Sequence, residues 1–333
     1  MENENFKIGV IGAGGRTGTL FAFKLQKIGK VFAISKEKEA QKIKKGKIFI
    51  ERGKEKKDLK IEVIEEKEFP KDENFDFLFL TIPNPVKKAL SFYFKKIKEK
   101  NLKIPVLFLS QNGIEAGEEA LSALKEIFGP KEFPVFRICL FNAVERKFEE
   151  DKIIISYSLP IRMAMAKVSG QISEKEIFKI LKKADFEIYL VEKEKRKDME
   201  YSKLFLNLIG MASATHSLSL FEGFSKKEIF QEEFLALREY LKVIKKAQGR
   251  LLNFPRYPLK WLSFLFYLPF WFLFPLRKIL AKGIEKERRG KLKDLREIDY
   301  YNGAVVKLGK KLGIKTPFNE KILERAKLCL SKE

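Results

Sequence analysis

Short apolar blocks alternate with amphipathic stretches through the first half of the chain. Phe6-Lys7-Ile8-Gly9-Val10-Ile11 reads as a strand, Thr19 to Ile28 as a mostly apolar helix, and Val31-Phe32-Ala33-Ile34 as the next strand. Lys47-Ile48-Phe49-Ile50 and Ile61-Glu62-Val63-Ile64 are shorter strand candidates beside turns at Gly46 and Gly53. Phe75 to Ile82 and Ile104 to Leu109 are apolar on both alternating faces, the habit of strands inside parallel sheets. Pro83-Asn84-Pro85 stops the first of these, and a helix follows to about Lys100. Another helix, Glu115 to Phe128, closes at Gly129-Pro130. Further strands are expected at Val135 to Phe141, Lys152 to Leu159 and Arg162 to Lys167.

Beyond Ser173 the period lengthens to that of helices: Glu174 to Ala184, Asp198 to Leu220, Lys226 to Gln248, Lys293 to Leu312, and a last one from about Asn319. The pattern predicts an α/β fold, with an N-terminal Rossmann-type domain over residues 1–169 and an all-helical C-terminal domain over residues 170–333. The boundary is expected near Ser169-Gly170.

The first strand runs into Gly12-Ala13-Gly14-Gly15-Arg16-Thr17-Gly18, and the helix and second strand follow it. Strand, glycine turn, helix and strand open a dinucleotide-binding βαβ unit. Glycine lets the backbone approach a pyrophosphate, and the helix offers unpaired N–H groups and the positive end of its dipole. Counted as G-x-G-x-x-G from Gly12, the third position is Thr17 and Gly18 sits one place late. Either Thr17 is tolerated, or the turn carries one extra residue. Ser35-Lys36-Glu37-Lys38 ends the second strand. A cation there suits the extra phosphate of NADP, so Lys36 and Lys38 favour NADP(H) over NAD, with Glu37 opposing.

A chain of 333 residues with 68 Lys+Arg and 45 Asp+Glu carries a net charge of +23. Such a charge permits contact with nucleic acid or an anionic membrane. The lysines are interleaved with glutamates almost everywhere, as on a solvated, heat-adapted surface, and no nucleic-acid motif stands out. Two distant cysteines, Cys139 and Cys329, and one histidine, His216, give no basis for a metal site or a disulfide scaffold. Met1 to Asn5 leads directly into the first strand and leaves no room for a signal peptide, so a cytoplasmic location is expected.

In the sheet domain, Gly12 to Gly18, Thr81 to Pro85 and Ser110-Gln111-Asn112-Gly113 fall along one rim. Asn112 either presents its amide there or belongs to an ordinary turn. In the second half, Tyr201 to Leu208 sets Lys203 and Asn207 four apart on one helix face. Apolar neighbours of Lys203 can lower an amine's pKa towards a range useful for proton donation. The alternative is a snorkelling surface lysine.

These segments, with Glu297-Ile298-Asp299-Tyr300-Tyr301-Asn302-Gly303 and Thr316-Pro317-Phe318-Asn319, resemble the ketopantoate reductase (2-dehydropantoate 2-reductase) family over nearly the whole chain. The resemblance implies a Rossmann domain, a helical domain and a substrate cleft between them. It implies NADPH-dependent reduction of a 2-oxo acid to a 2-hydroxy acid, foremost 2-dehydropantoate to pantoate in pantothenate biosynthesis. Lys203 would donate the proton. Asn207 would bind substrate, Asn112 would hold substrate and nicotinamide together, and Glu297 would contact the cofactor or position the lysine. Gly12, Ala13, Gly14, Gly15, Arg16, Thr17, Gly18 and Lys36 would complete the cofactor site. The family's chemistry does not require His216, which reads as a residue with a satisfied ring on the Lys203 helix.

The chain departs from the family at three places. Pro83-Asn84-Pro85 replaces a lysine after Thr81, Met211 replaces a second asparagine, and a Pro-Ser segment is missing where Gly290-Lys291-Leu292 runs into Lys293. Lost polar groups should shift which substrate is accepted, towards a more apolar 2-oxo acid. The alternatives are a reductase of another 2-oxo acid or an imine, and a membrane-associated dinucleotide-binding protein with little catalysis.

Residues 251–289 form an apolar insert, in which Trp261 to Phe274 is dense in aromatics and Pro269 interrupts it. It is shorter than the roughly 20 residues a spanning helix needs. Two readings remain: a patch over residues 256–282 seated among anionic headgroups at the inner face of the membrane, or a hairpin packed on the core or on a second subunit of a homodimer. Packing is the preferred reading.

Overall fold

The computed structural model describes residues 6–52, 55–149, 152–288 and 292–331, and for residues 52, 55–58 and 285–288 the backbone alone. Three expectations fall outside the described residues: the direct lead from Met1 to Asn5, the turn at Gly53, and the junction at Gly290-Lys291. The chain divides into two compact units, residues 1–111 with 115–196, and residues 112–114 with 197–333.

The first unit begins β1 (Phe6–Ile11), α1 (Arg16–Leu25), β2 (Gly29–Ser35), α2 (Glu37–Lys44), β3 (Ile48–Arg52), β4 (Glu55–Asp58) and β5 (Glu62–Glu65). It continues with β6 (Phe77–Leu80), α3 (Val86–Glu99), β7 (Val106–Leu109), α4 (Ala116–Phe128), β8 (Val135–Leu140), β9 (Val144–Glu149) and β10 (Lys152–Tyr157). Then come β11 (Ile161–Ser169), α5 (Glu174–Lys182) and β12 (Phe186–Val191). Eight strands form one sheet in the order β12-β11-β8-β7-β6-β1-β2-β5, parallel except where β11 meets β8. A second sheet has the order β4-β3-β10-β9.

The buried strands divide their side chains between two cores, as period-2 alternation requires. Phe77 and Phe79 of β6 join Ile8, Val10 and the α1 residues Leu20 and Phe21 on one face. Leu78 and Leu80 join Ile11 and the α3 residues Leu90 and Phe94 on the other. Helices on both faces make the sheet doubly wound. Strand order reverses between β1 and β6, and a crevice opens at their carboxyl ends.

The expected boundary at Ser169-Gly170 falls inside this sheet. Phe186-Glu187-Ile188-Tyr189-Leu190-Val191 pairs in parallel with β11, from Ile161↔Phe186 to Ala166↔Val191. The first unit therefore runs to Arg196.

The second unit contains α6 (Arg196–Leu208), α7 (Met211–Ala214), α8 (Leu220–Ser225), α9 (Lys227–Lys246) and α10 (Leu259–Leu265). It ends with α11 (Phe270–Leu273), α12 (Arg277–Arg288), α13 (Asn302–Leu312) and α14 (Pro317–Leu330). The single helix expected from Asp198 to Leu220 is two, α6 and α7, with α8 beginning only at Leu220. Gly210 adopts φ +86°, a left-handed conformation that ends α6, and the buried Glu233 of α9 accepts from the backbone N–H of Gly210 and of Ala212 (2.9 Å). Residues 293–301, expected as helix, hold a loop and one 3-10 turn, Ile298–Tyr300, before α13. Lys293 lies in that loop, and its ammonium donates to the last carbonyls of α6, those of Asn207 and of Ile209 (2.8 Å). A cation on the unpaired carbonyls of a helix end is favourable twice over, by hydrogen bond and by dipole.

Candidate functional site

The turn after β1 is held by its own backbone. Gly12 N–H donates to the Ile34 carbonyl at 2.8 Å, Gly15 N–H to the Gly12 carbonyl at 2.9 Å, and Gly14 N–H to Ser35 Oγ at 3.1 Å. Gly12 takes φ +85°, where any other residue is strained. Gly18 has a different reason to be glycine. A Cβ there would lie 2.1 Å from the Gly12 carbonyl oxygen. Gly18 thus supplies the close contact between helix and turn, and the turn carries one more residue than the G-x-G-x-x-G spacing. Thr19, the next residue, donates its hydroxyl to the Ala13 carbonyl at 2.7 Å and locks the loop against α1.

A cleft of about 370 Å³ opens beside this turn, lined by Gly12, Gly14, Gly15, Lys36, Glu39 and Arg146 among others. Ala13 and Gly18 are buried behind it, while Arg16 is exposed and Thr17 half-buried on the first turn of α1; none of these four is in the lining. Lys36 borders the cleft; Lys38 and Glu37 do not, and Glu37 lies 4.0 Å from the Lys67 ammonium. α1 has no side-chain cap at Gly15, so its first turn keeps the form that receives an anion. A dinucleotide fits this cradle on two counts, the glycines whose Cβ atoms would fill it and the helix start beside them. Arg146, on β9 of the second sheet, was not legible as a cleft residue because β9 is mostly polar and its hairpin with β10 does not show in sequence which side of the strand faces the cleft. On the far wall Tyr93 donates to Glu66. Burial, and then the Glu66 carboxylate, hold the Tyr93 phenol well above its ordinary pKa, so it remains a donor.

In the second unit, α6 buries Met199, Ser202, Phe205 and Leu208 and leaves Lys203, Leu206 and Asn207 half-buried along one face. Asn207 Nδ2 donates to Asn112 Oδ1 at 3.0 Å. Asn112 Nδ2 in turn donates to Glu297 Oε2 at 2.7 Å and lies 3.0 Å from the Tyr301 hydroxyl, which itself donates to Glu297 Oε2 at 3.0 Å. Residues 185 and 95 positions apart are joined through one amide. Three of the residues singled out from sequence, Asn112, Asn207 and Glu297, are therefore one hydrogen-bonded group, and Lys203 stands one helical turn before Asn207. Tyr301 belongs to the group and was missed, although it stands four residues after Glu297 within the quoted motif. Asn112 is no ordinary turn residue, since its amide serves three partners.

Thr316-Pro317-Phe318-Asn319 has a structural use. Asn319 is fully buried; its amide donates to Glu239 at 2.8 Å and to the Ala236 carbonyl at 2.9 Å, and its oxygen accepts from Asn302 at 2.9 Å. The motif ties α9, α13 and α14 together. Burial raises the Glu239 pKa although the Phe318 and Asn319 N–H groups oppose it. Met211, at the place of the missing asparagine, is completely buried at the start of α7. His216 lies after α7 and not on the Lys203 helix; its Nε2 is 2.6 Å from Arg325 Nη1. Among the described residues no group of three or more His, Cys, Asp or Glu could hold a metal ion.

The insert packs on one side only. Phe266 stacks edge-on to Phe205, and Phe270 and Phe274 meet Phe230. Trp261 and Trp271 remain 65% and 72% exposed.

The family model described as ketopantoate reductase PanE/ApbA matches residues 8–150, and that of the family's C-terminal region matches residues 292–329. No curated protein matches the chain by sequence. Among solved structures, a PanE/ApbA family ketopantoate reductase from Ralstonia eutropha JMP134 is similar, with TM-score 0.74 and 15% identity over 98% of this chain and 99% of that one. A 2-dehydropantoate 2-reductase from Geobacter metallireducens GS-15 superposes with TM-score 0.69 and 13% identity, over 97% and 99%. D-mandelate dehydrogenase, solved with NADH and anilino(oxo)acetate, gives TM-score 0.73 and 17% identity over 97% of each chain. At these identities the structures establish a shared fold, and the sequence matches establish kinship: the chain belongs to the ketopantoate reductase PanE/ApbA family.

Proposed function

We propose that the protein is a cytoplasmic, NADPH-dependent reductase of a 2-oxo acid, with 2-dehydropantoate as the first substrate to test and pantoate as its product. The observation that carries this reading is the half-buried face of α6, where Lys203 stands one turn from the Asn207–Asn112–Glu297–Tyr301 group. A bound nicotinamide supplies hydride to the substrate's carbonyl carbon. The oxygen then gains negative charge, and the Lys203 ammonium donates the proton that makes it a hydroxyl. Asn207 orients the substrate, and its own rotamer is set by Asn112. Glu297 holds Asn112 in place by accepting from its amide and from the Tyr301 hydroxyl. In the first unit the Gly12–Gly18 turn and the start of α1 receive the pyrophosphate, and Lys36 with Arg146 supply two cations for the extra phosphate of NADP.

A second reading keeps the chemistry and changes the substrate. Met211 is buried where the family has a polar group, and Pro83-Asn84 line the cleft where it has a lysine. A more apolar 2-oxo acid suits these losses, and D-mandelate dehydrogenase, with its aromatic 2-hydroxy acid, shares the fold. A panel of 2-oxo acids, ketopantoate and phenylglyoxylate included, followed at the NADPH absorbance decides between the two. No turnover on any of them, alongside tight NADPH binding, would leave a binding protein with little catalysis. Lys36→Glu combined with Arg146→Glu should lower the preference for NADPH over NADH about tenfold or more, as expected when phosphate-binding cations are reversed; an unchanged ratio would remove the NADP assignment.

A further inference from the structure

We propose that the aromatic face of the insert, from Trp261 to Ile279, seats the protein on the surface of an anionic lipid bilayer. This inference does not depend on the reductase reading. Along α10 and the turn that follows it, Leu259, Ser263 and Phe266 are buried, whereas Trp261, Phe264 and Tyr267 are exposed. Those positions recur at helical spacing, so α10 has an inner stripe and an outer one, and the outer stripe is aromatic where a helix facing water is polar. Trp271 and Phe272 of α11 and Leu276 and Ile279 continue the exposed apolar set. It gathers both tryptophans of a 333-residue chain into one surface. Isolated exposed apolar residues need no explanation; a run of seven within nineteen positions does.

Charge selects the occupant. From Tyr240 to Ile284 the sequence holds no acidic residue, and Arg256, Lys260, Lys278 and Lys282 are exposed around the aromatics. Aromatic side chains at headgroup depth, flanked by cations, form the composition of interfacial membrane segments. A second copy of the chain is disfavoured by the same charges, because a twofold contact through the aromatic face would set these cations against their own equivalents, with no carboxylate between Tyr240 and Ile284 to balance them. No described helix is long and apolar enough to cross a membrane, so the contact is one of lying on the surface.

The test uses the full chain with vesicles of phosphatidylglycerol and phosphatidylcholine, and with phosphatidylcholine alone. Both tryptophans report directly. Their emission should shift to the blue with anionic vesicles, and the protein should co-sediment. Binding should weaken between about 0.1 M and about 1 M salt, as screening shortens from about 10 Å to about 3 Å. Lys260→Glu with Lys278→Glu alters only exposed side chains and keeps both tryptophans; it should reduce vesicle affinity at least tenfold with the melting temperature unchanged. Trp261→Ser with Trp271→Ser should abolish co-sedimentation. Absence of any shift with anionic vesicles overturns the proposal, as does equal binding to neutral ones. A salt-stable dimer that Trp271→Asp dissociates would assign the face to a second copy instead.

Discussion

The candidate cofactor turn at the end of β1 is built from glycine α-carbons and backbone N–H groups, and the candidate catalytic face of α6 in the second unit is built from side chains. The difference governs how each region tolerates change. The glycine turn works through space that no side chain occupies, so adding one atom disrupts it. The α6 face works through polar side chains that fix one another, so removing atoms disrupts it. The first is also local in its hydrogen bonds, since those of the Gly12, Gly14 and Gly15 N–H groups all close within about two dozen positions. The second assembles Asn112, Asn207, Glu297 and Tyr301 from three distant parts of the chain.

That contrast can be broken by substitution, beginning with the largest effect. Lys203→Ala should lower turnover about a hundredfold or more, the usual worth of a positioned acid, while NADPH affinity measured by fluorescence titration stays the same. If cofactor affinity fell equally, the two regions would not be separable in this way. Gly18→Ala should do the reverse. Its Cβ would sit 2.1 Å from the Gly12 oxygen, so helix and turn must part at a cost of about 1–3 kcal/mol. Dinucleotide affinity should drop at least about tenfold, with a lower melting temperature by calorimetry. A variant that binds NADPH normally would show that the turn is softer than its contacts imply.

Asn112→Ala sharpens the second half of the comparison. It removes a donor to Glu297 and the acceptor of Asn207, and a hydrogen bond to a charged group is worth about 1.5–3 kcal/mol. KM for the 2-oxo acid should rise about tenfold, and Asn112→Asp should not restore it, because a carboxylate cannot donate to Glu297. Unchanged steady-state kinetics for Asn112→Ala would count against the group as a substrate-orienting unit.

The smallest effect is one of pH. Burial, and then the Arg325 guanidinium, hold His216 below its ordinary value of 6.5. Between the two values the unfolded chain binds more protons than the folded one, so stability rises with pH there. The contribution is complete above about pH 6.5 and is lost on acidification. His216→Gln should flatten that part of the melting-temperature profile and leave catalysis unchanged. An identical acid-side slope in the variant would show that other groups carry it.

The amino-acid sequence by itself determined the doubly wound character of the first unit, since Phe77-Leu78-Phe79-Leu80 is apolar on both faces and only a covered parallel strand accommodates that. It also determined the glycine turn, whose residues are neighbours. It did not place β12, because Phe186 to Val191 is flanked by lysines and glutamates that continue a helical charge pattern, and only pairing with β11 makes it a strand. Nor did it break the helix after Leu208, where Glu233 from another helix captures the N–H groups beside Gly210. The partners of Asn112, the cleft-side position of Arg146 and the outward turn of Trp261 and Trp271 were likewise settled by tertiary structure. The physical reason is common to all of them. Local propensity and periodicity act over a few residues, whereas burial and hydrogen-bond partnership depend on segments that sequence separates and only the folded chain brings together.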